Sequence, residues 1–83
     1  MSPELETLDQ LLGGDLPISV VRSFFPDNER FVSATLAMLN AGEIVLLDAE
    51  RGQVPKWKWC RIMTSATGTE RIEITDLGIE RIR

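Results

Sequence analysis

Asp27 to Asp48 reads DNERFVSATLAMLNAGEIVLLD, and this stretch decides the fold. Asp27 is a good N-cap, because a carboxylate oxygen can accept an orphan amide of the first helical turn. Glu29 adds negative charge near the positive end of the helix dipole. Phe31, Val32, Thr35, Leu36 and Leu39 recur at spacings of three and four, the period of one buried helix face. Gly42 suits the position just past the end, where a left-handed backbone costs least without a Cβ. Glu43 to Leu47 is too short and too rich in branched residues for another helix, and reads as a buried strand.

Upstream, Ser2-Pro3-Glu4 is a helix start, with Ser as cap and Pro at the first helical position. Leu5, Leu8 and Leu12 form an apolar stripe with Leu11 beside it, and Gly13-Gly14 ends the helix. Asp15-Leu16-Pro17 reads as a short connector, extended at Leu16 because proline follows. Ile18 to Phe25 is a second helix with Ile18, Val21, Phe24 and Phe25 facing inward, stopped by Pro26. Only Pro26 and Asp27 then separate it from the third helix, the tight turn of a helix-turn-helix.

Downstream, Ala49 to Pro55 is a loop punctuated by Gly52 and Pro55. Lys56 to Met63, KWKWCRIM, alternates and predicts a second strand. Residues 64–68 predict a polar hairpin turn. Glu70 to Thr75 is a third strand, with Ile72 and Ile74 on one face and Arg71, Glu73 and Thr75 on the other. Asp76 to Arg83 closes the chain as a short helix, with Leu77, Ile79 and Ile82 available to dock. The expected organisation is one α+β domain over 1–83. Its helices are 2–12, 18–25 and 28–41, its strands lie near 43–48, 56–63 and 70–75, and a short C-terminal helix follows.

Composition limits the role. Eighty-three residues bury roughly 60–65% of the surface the unfolded chain exposes, enough for one modest core. No segment approaches the roughly 20 apolar residues of a membrane span, and the acidic N-terminus lacks a signal-peptide layout. Cys60 is the single cysteine, which excludes an internal disulfide and suits a reducing cytoplasm. The chain has no histidine, so the usual general base, metal ligand and pH switch are all missing. The net charge of −4 is uneven. Residues 1–50 carry nine acids and two bases, whereas 51–63 carry Arg51, Lys56, Lys58 and Arg61 with no acid. An acidic chain repels nucleic acid at long range, but a local basic block grips phosphate within a Debye length of about 8–10 Å.

Catalysis finds little footing. Cys60 has no activating histidine and falls on the Ile62 side of the expected strand, the setting of a buried, inert thiol. Glu4, Glu6 and Asp9 read as the solvent face of the first helix. No phosphate-binding glycine loop and no metal-ligand spacing occurs, so neither enzyme, cofactor nor metal is expected.

Two motifs carry a resemblance. Val32-x-x-x-Leu36-x-x-Leu39-x-x-Gly42-x-Ile44 is similar to the tail of a recognition helix, and Ile72 to Ile82, IEITDLGIERI, looks like the strand-then-LTxxGxxxL element that follows a wing. Thr75 would cap the last helix, and Gly78 would let it pack closely on the sheet. The chain thus resembles the winged helix-turn-helix domains of small prokaryotic regulators, the MarR, PadR and ArsR-like groups. What the resemblance implies is a three-helix core, a small antiparallel sheet forming the wing, and a short C-terminal helix. The implied function is a DNA-binding transcriptional regulator of bacterial or phage origin. Helix 28–41 would enter the groove of double-stranded DNA and wing 51–68 would lie on the backbone, the protein acting as a monomer or weak homodimer.

Carried over to this chain, the outward face of the third helix is Asn28, Arg30, Ser33, Ala37 and Asn40. Either asparagine suits adenine, and Arg30 suits guanine or phosphate. On the wing, the period of two sends Lys56 and Lys58 to one side and Trp57, Trp59 and Arg61 to the other. The lysines, with Arg51, would track phosphates. Two readings of the tryptophans stand side by side: sheet cover, or an exposed anchor for a partner protein. The second makes the chain a winged-helix interaction module without DNA binding.

Overall fold

Ser2 starts the first helix as its sequence predicts, in a computed structural model that describes residues 2–65 and 68–83. The Ser2 side chain accepts the Leu5 amide at 3.2 Å, and helix α1 runs over Pro3–Leu11. Its buried face is Thr7, Leu8 and Leu11, whereas Leu12 lies beyond the last helical residue and is 51% exposed. The stripe is therefore turned by about one residue from the expected Leu5-Leu8-Leu12. Thr7 joins it because its hydroxyl donates to the Pro3 carbonyl at 2.7 Å and needs no water.

The supposed connector hides a strand. Leu16–Pro17 is strand β1, paired antiparallel with residues 71–72. Two residues give no readable alternation, and proline is tolerated because this is a sheet edge. Helix α2 spans only Ile18–Arg22; Phe24 and Phe25 follow in tight turns that donate to Val21 and Arg22. Phe25 then packs edge-to-face on Phe31 at 5.7 Å between ring centroids, locking α2 to the next helix.

That next helix, α3 (Asn28–Asn40), is capped as read, with Asp27 Oδ1 accepting the Arg30 amide at 2.7 Å. Phe31, Thr35, Met38 and Leu39 are buried. The Thr35 hydroxyl is satisfied inside the core by the Phe31 carbonyl at 2.6 Å. Gly42 has φ +76°, and the amides of Glu43 and Gly42 donate to Met38 and Leu39 at 3.0 and 3.1 Å. That pair of bonds is a Schellman stop, and it reverses the chain directly into strand β2, Ile44–Leu47.

The expected second strand is not one. Lys56–Lys58 is a single 3₁₀ turn and Trp59–Ser65 is helix α4. The segment KWKWCRIM alternates, but Trp59, Ile62 and Met63 also stand at i, i+3 and i+4, and this second period prevails. Met63 is fully buried while Trp59 and Ile62 pack on the core. Lys56, Trp57 and Lys58 are all exposed, so the two-sided arrangement of lysines against tryptophans does not form. Cys60 is exposed rather than buried. Thr64 and Ser65 of the expected hairpin turn belong to α4, and Ala66 and Thr67 lie outside the described residues.

Strand β3, Arg71–Ile74, sits at the centre of a three-stranded antiparallel sheet of order β1-β3-β2. Leu16, Ile72 and Leu46 line up across it, with Ile44 opposite Ile74. Ile72 is fully buried, and one hydrophobic cluster joins it to α1, α2, α3, α4 and β2. Helix α5, Asp76–Arg81, is capped by Thr75, whose Oγ1 accepts the Gly78 amide at 3.3 Å and donates to the Gly42 carbonyl. Of its apolar residues Ile82, just past the helix, packs on the core, and Leu77 is 58% exposed.

A Cβ on Gly78 would stand 2.2 Å from the Glu43 carbonyl oxygen and 2.7 Å from the Ile74 side chain. Backbone cannot yield as a side-chain tip can, so Gly78→Ala is expected to cost about 3 kcal/mol or more. The thermal midpoint should fall by roughly 10–20 °C. Gly13→Ala, whose Cβ would meet nothing nearer than 3.6 Å, should stay within about 0.5 kcal/mol of wild type. Chemical denaturation of the pair checks this.

Candidate functional site

Pro55 sets the direction of a segment that projects a tryptophan and basic groups together. Its φ of −64° and extended ψ lead into the 3₁₀ turn, closed by the Lys58 amide donating to the Pro55 carbonyl at 3.0 Å. The turn and α4 then part the two tryptophans. Trp59 is half-buried on the core, and its Nε1–H donates to the Val54 carbonyl at 2.9 Å. Trp57 points outward, 76% exposed, with the Lys58 ammonium 5.0 Å from its ring centroid. A cation over an exposed indole contributes about 0.5–1 kcal/mol, enough to bias the pose of both groups. Lys56 and Arg61 are exposed nearby in the chain. Among the described residues none of Lys56, Lys58 or Arg61 forms an ion pair.

Arg51, the fourth base of this block, is committed elsewhere. After β2 the chain turns tightly: Asp48 Oδ1 accepts the amides of Glu50 and Gly52, and Val54 returns to donate to Leu46. Arg51 has φ +65° in that turn, and its guanidinium meets Asp15 at 3.0 Å and Glu73 at 3.6 Å. Arg71 holds the same Asp15 oxygen at 2.8 Å and donates to the Asp15 carbonyl at 3.2 Å. The network ties the entry to β1, the centre of β3 and the turn after β2. Hydrogen bonds from Arg71 first, then Arg51, hold the Asp15 carboxyl below its ordinary range.

The outward residues of α3 separate into two groups. Arg30 and Ser33, with Ala34, Ala37 and Met38, line an open groove of about 580 Å³. Glu4 of α1, Asp27, Glu29 and Arg81 complete its walls. Arg81 is itself paired with Glu43 at 2.6 Å. Asn28 and Asn40 do not line the groove. Asn40 donates back to the Leu36 carbonyl at 3.0 Å, and Asn28 Oδ1 is buried without a partner among the described residues. None of Arg51, Lys56, Lys58 or Arg61 lines the groove either. The eight residues expected to share one DNA-facing surface thus fall into a groove pair, a turn-and-α4 triplet, an ion-paired arginine and two locally placed asparagines.

Sequence reasoning missed the part played by Glu4 and Arg81, since nothing local places α1 and the end of α5 beside α3. It left Trp57 open, and the structure turns that residue outward. Among the described residues no cluster of acids, histidine or cysteine has metal-binding geometry, and no helix is long and apolar enough to cross a membrane.

A depressed carboxyl contributes stability that is present above its unfolded value, near 3.8, and lost as pH falls through the lower folded value. Asp15→Asn should therefore destabilise the protein near neutral pH and flatten its acid limb below about pH 5. Urea titrations at several pH values measure this; parallel curves for the two proteins would mean that the network carries no proton linkage.

Compared with protein-family models, curated proteins and solved structures, the chain matches none of them.

Proposed function

We propose that the chain is a winged-helix protein-interaction module whose anchor is Trp57 and whose partner presents an acidic surface. The order of helices and strands supports the winged-helix part. Three helices precede β2, and β1 and β2 flank β3 in the sheet. The stretch where a wing would extend is instead a tight turn followed by α4.

The observation that carries the functional reading is the 76% exposure of Trp57, with the Lys58 ammonium 5.0 Å from its ring and with Lys56 and Arg61 exposed close by in the chain; among the described residues none of the three cations is ion-paired. An indole left in water has no packing role, whereas interfaces use tryptophan and arginine as central anchors. Lysine and arginine around it select acidic groups and reject basic ones.

A regulator reading double-stranded DNA draws less support. It needs cations that converge with α3, yet the α3 groove sets Arg30 and Arg81 among Glu4, Asp27 and Glu29, Arg81 is paired with Glu43, and Arg51 is held by Asp15 and Glu73. The overall charge of −4 opposes phosphate at long range. A reducing, cytoplasmic setting remains part of the proposal, on the single exposed Cys60.

Fluorescence anisotropy separates the two. A labelled glutamate-rich peptide with leucine at every third position should bind at low salt. Trp57→Ala should weaken it by about thirtyfold, the effect of removing a hot spot of about 2 kcal/mol. A labelled random duplex should bind no better than the peptide. If the duplex binds more tightly, and its salt slope drops by about two in Lys56→Ala/Lys58→Ala while Trp57→Ala has no effect, the lysines serve phosphates and the proposal is wrong.

A further inference from the structure

The basic, tryptophan-bearing turn and the α3 groove, whose walls carry three acids and two arginines, are complementary surfaces of one chain, and we infer that they meet between copies. Trp57 of one molecule seats in the α3 groove of the next, head to tail. This rests on the reading of Trp57 as an anchor and names its partner as a second copy of the chain.

Residues 51–63 hold four bases and no acid, whereas the rest of the chain holds thirteen acids and five bases. Glu4, Asp27 and Glu29 stand around a floor of Ala34, Ala37 and Met38 against the bases Arg30 and Arg81, and Arg81 is paired with Glu43, so the wall keeps a net negative charge. A small apolar floor with walls of net negative charge suits an indole flanked by lysines. Size agrees: about 580 Å³ lies within the roughly 300–1,000 Å³ of sites that enclose a small ligand, ample for one indole.

The turn and the groove also lie apart on the surface. At 100° per residue, Arg30, Ser33 and Ala37 stand on one flank of α3 and Val32 and Leu36 on another. Ser33 and Ala37 are exposed, whereas Val32 and Leu36 are half-buried against the core. Among the described residues, nothing from 44–65 lines the groove. The turn and the groove are therefore separate patches, and one copy does not fill its own groove.

Two different patches make a heterologous contact, which leaves a free turn at one end and a free groove at the other. Assembly then propagates or closes into a ring. A contact centred on one indole falls below the roughly 1,200 Å² of stable complexes, so it is weak and dependent on concentration. Its ionic part weakens with salt.

Sedimentation velocity over about 10 μM to about 1 mM protein tests this, a range that spans weak association. Wild type should sediment faster as concentration rises, less so at high salt. Trp57→Ala removes the knob, and Ala37→Arg fills the groove at an exposed helical position; both should melt like wild type and stay monomeric. Mixed in equal amounts, the two variants should form a 1:1 complex that grows no further, because each retains the half the other lacks. Wild type that stays monomeric throughout, or Ala37→Arg that assembles like wild type, would overturn the inference. Titration of Ala37→Arg with the acidic peptide separates the failures. If the peptide still binds through Trp57, the anchor stands and only the second copy is wrong; if wild type neither assembles nor binds the peptide, both readings fall.

Discussion

The sheet side of the molecule depends on how closely α5 approaches the first residue after the α3 stop. Gly78 brings its Cα into a space where a Cβ would overlap the Glu43 carbonyl. Thr75 fixes that approach from three directions: its amide donates to Glu43, its hydroxyl donates to Gly42, and the same oxygen accepts the Gly78 amide. Gly42, with φ +76°, supplies the reversal that puts the Glu43 carbonyl there. Two glycines and one threonine thus join α3, β2, β3 and α5 at one point. Arg81 closes the same corner by pairing with Glu43. Shift this junction, and the register of β2 on β3 moves with it, taking Ile44 and Leu46 away from Ile74 and Ile72.

Those parts were legible because their causes are local. An aspartate cap, a glycine stop, a run of branched residues and a threonine three residues before a glycine each act through neighbours in the chain. Thr75 and Gly78 were read as cap and close-packing residue through the resemblance of IEITDLGIERI to the element that follows a wing. What failed was decided at a distance. Strand β1 exists only because β3 arrives beside Leu16, and two residues carry no period. The segment from Lys56 to Met63 satisfies both the two-residue and the helical period over its short length. Its choice falls to Trp59, Ile62 and Met63, which reach the core together only when the segment coils. Cys60 moved from an expected buried face to an exposed one for the same reason.

The candidate site shows the same division. Charge asymmetry along the chain was visible at once, and it marks residues 51–63 as distinctive. Sequence did not show that Arg51 would be withdrawn into an ion network with Asp15, Arg71 and Glu73, a contact spanning 36 residues to Asp15 alone. Nor did it show that Glu4 of α1 and Arg81 of α5 would wall the outer face of α3. Both facts move the weight of the functional reading from the groove-entering helix of a DNA reader to the exposed indole. The coil at 56–65 that buries Trp59 is also what turns Trp57 outward, so folding and the proposed binding share one local event.

Backbone chemical shifts measure that event. Carbon shifts of an isotopically labelled sample across Lys56 to Ser65 should be helical, with sequential amide contacts along α4 and no cross-strand contacts to Arg71–Ile74. Extended shifts, with cross-strand contacts pairing 56–63 to 70–75, would restore a wing strand. They would also return the lysines to a common face and contradict the outward placement of Trp57 on which the proposed function rests.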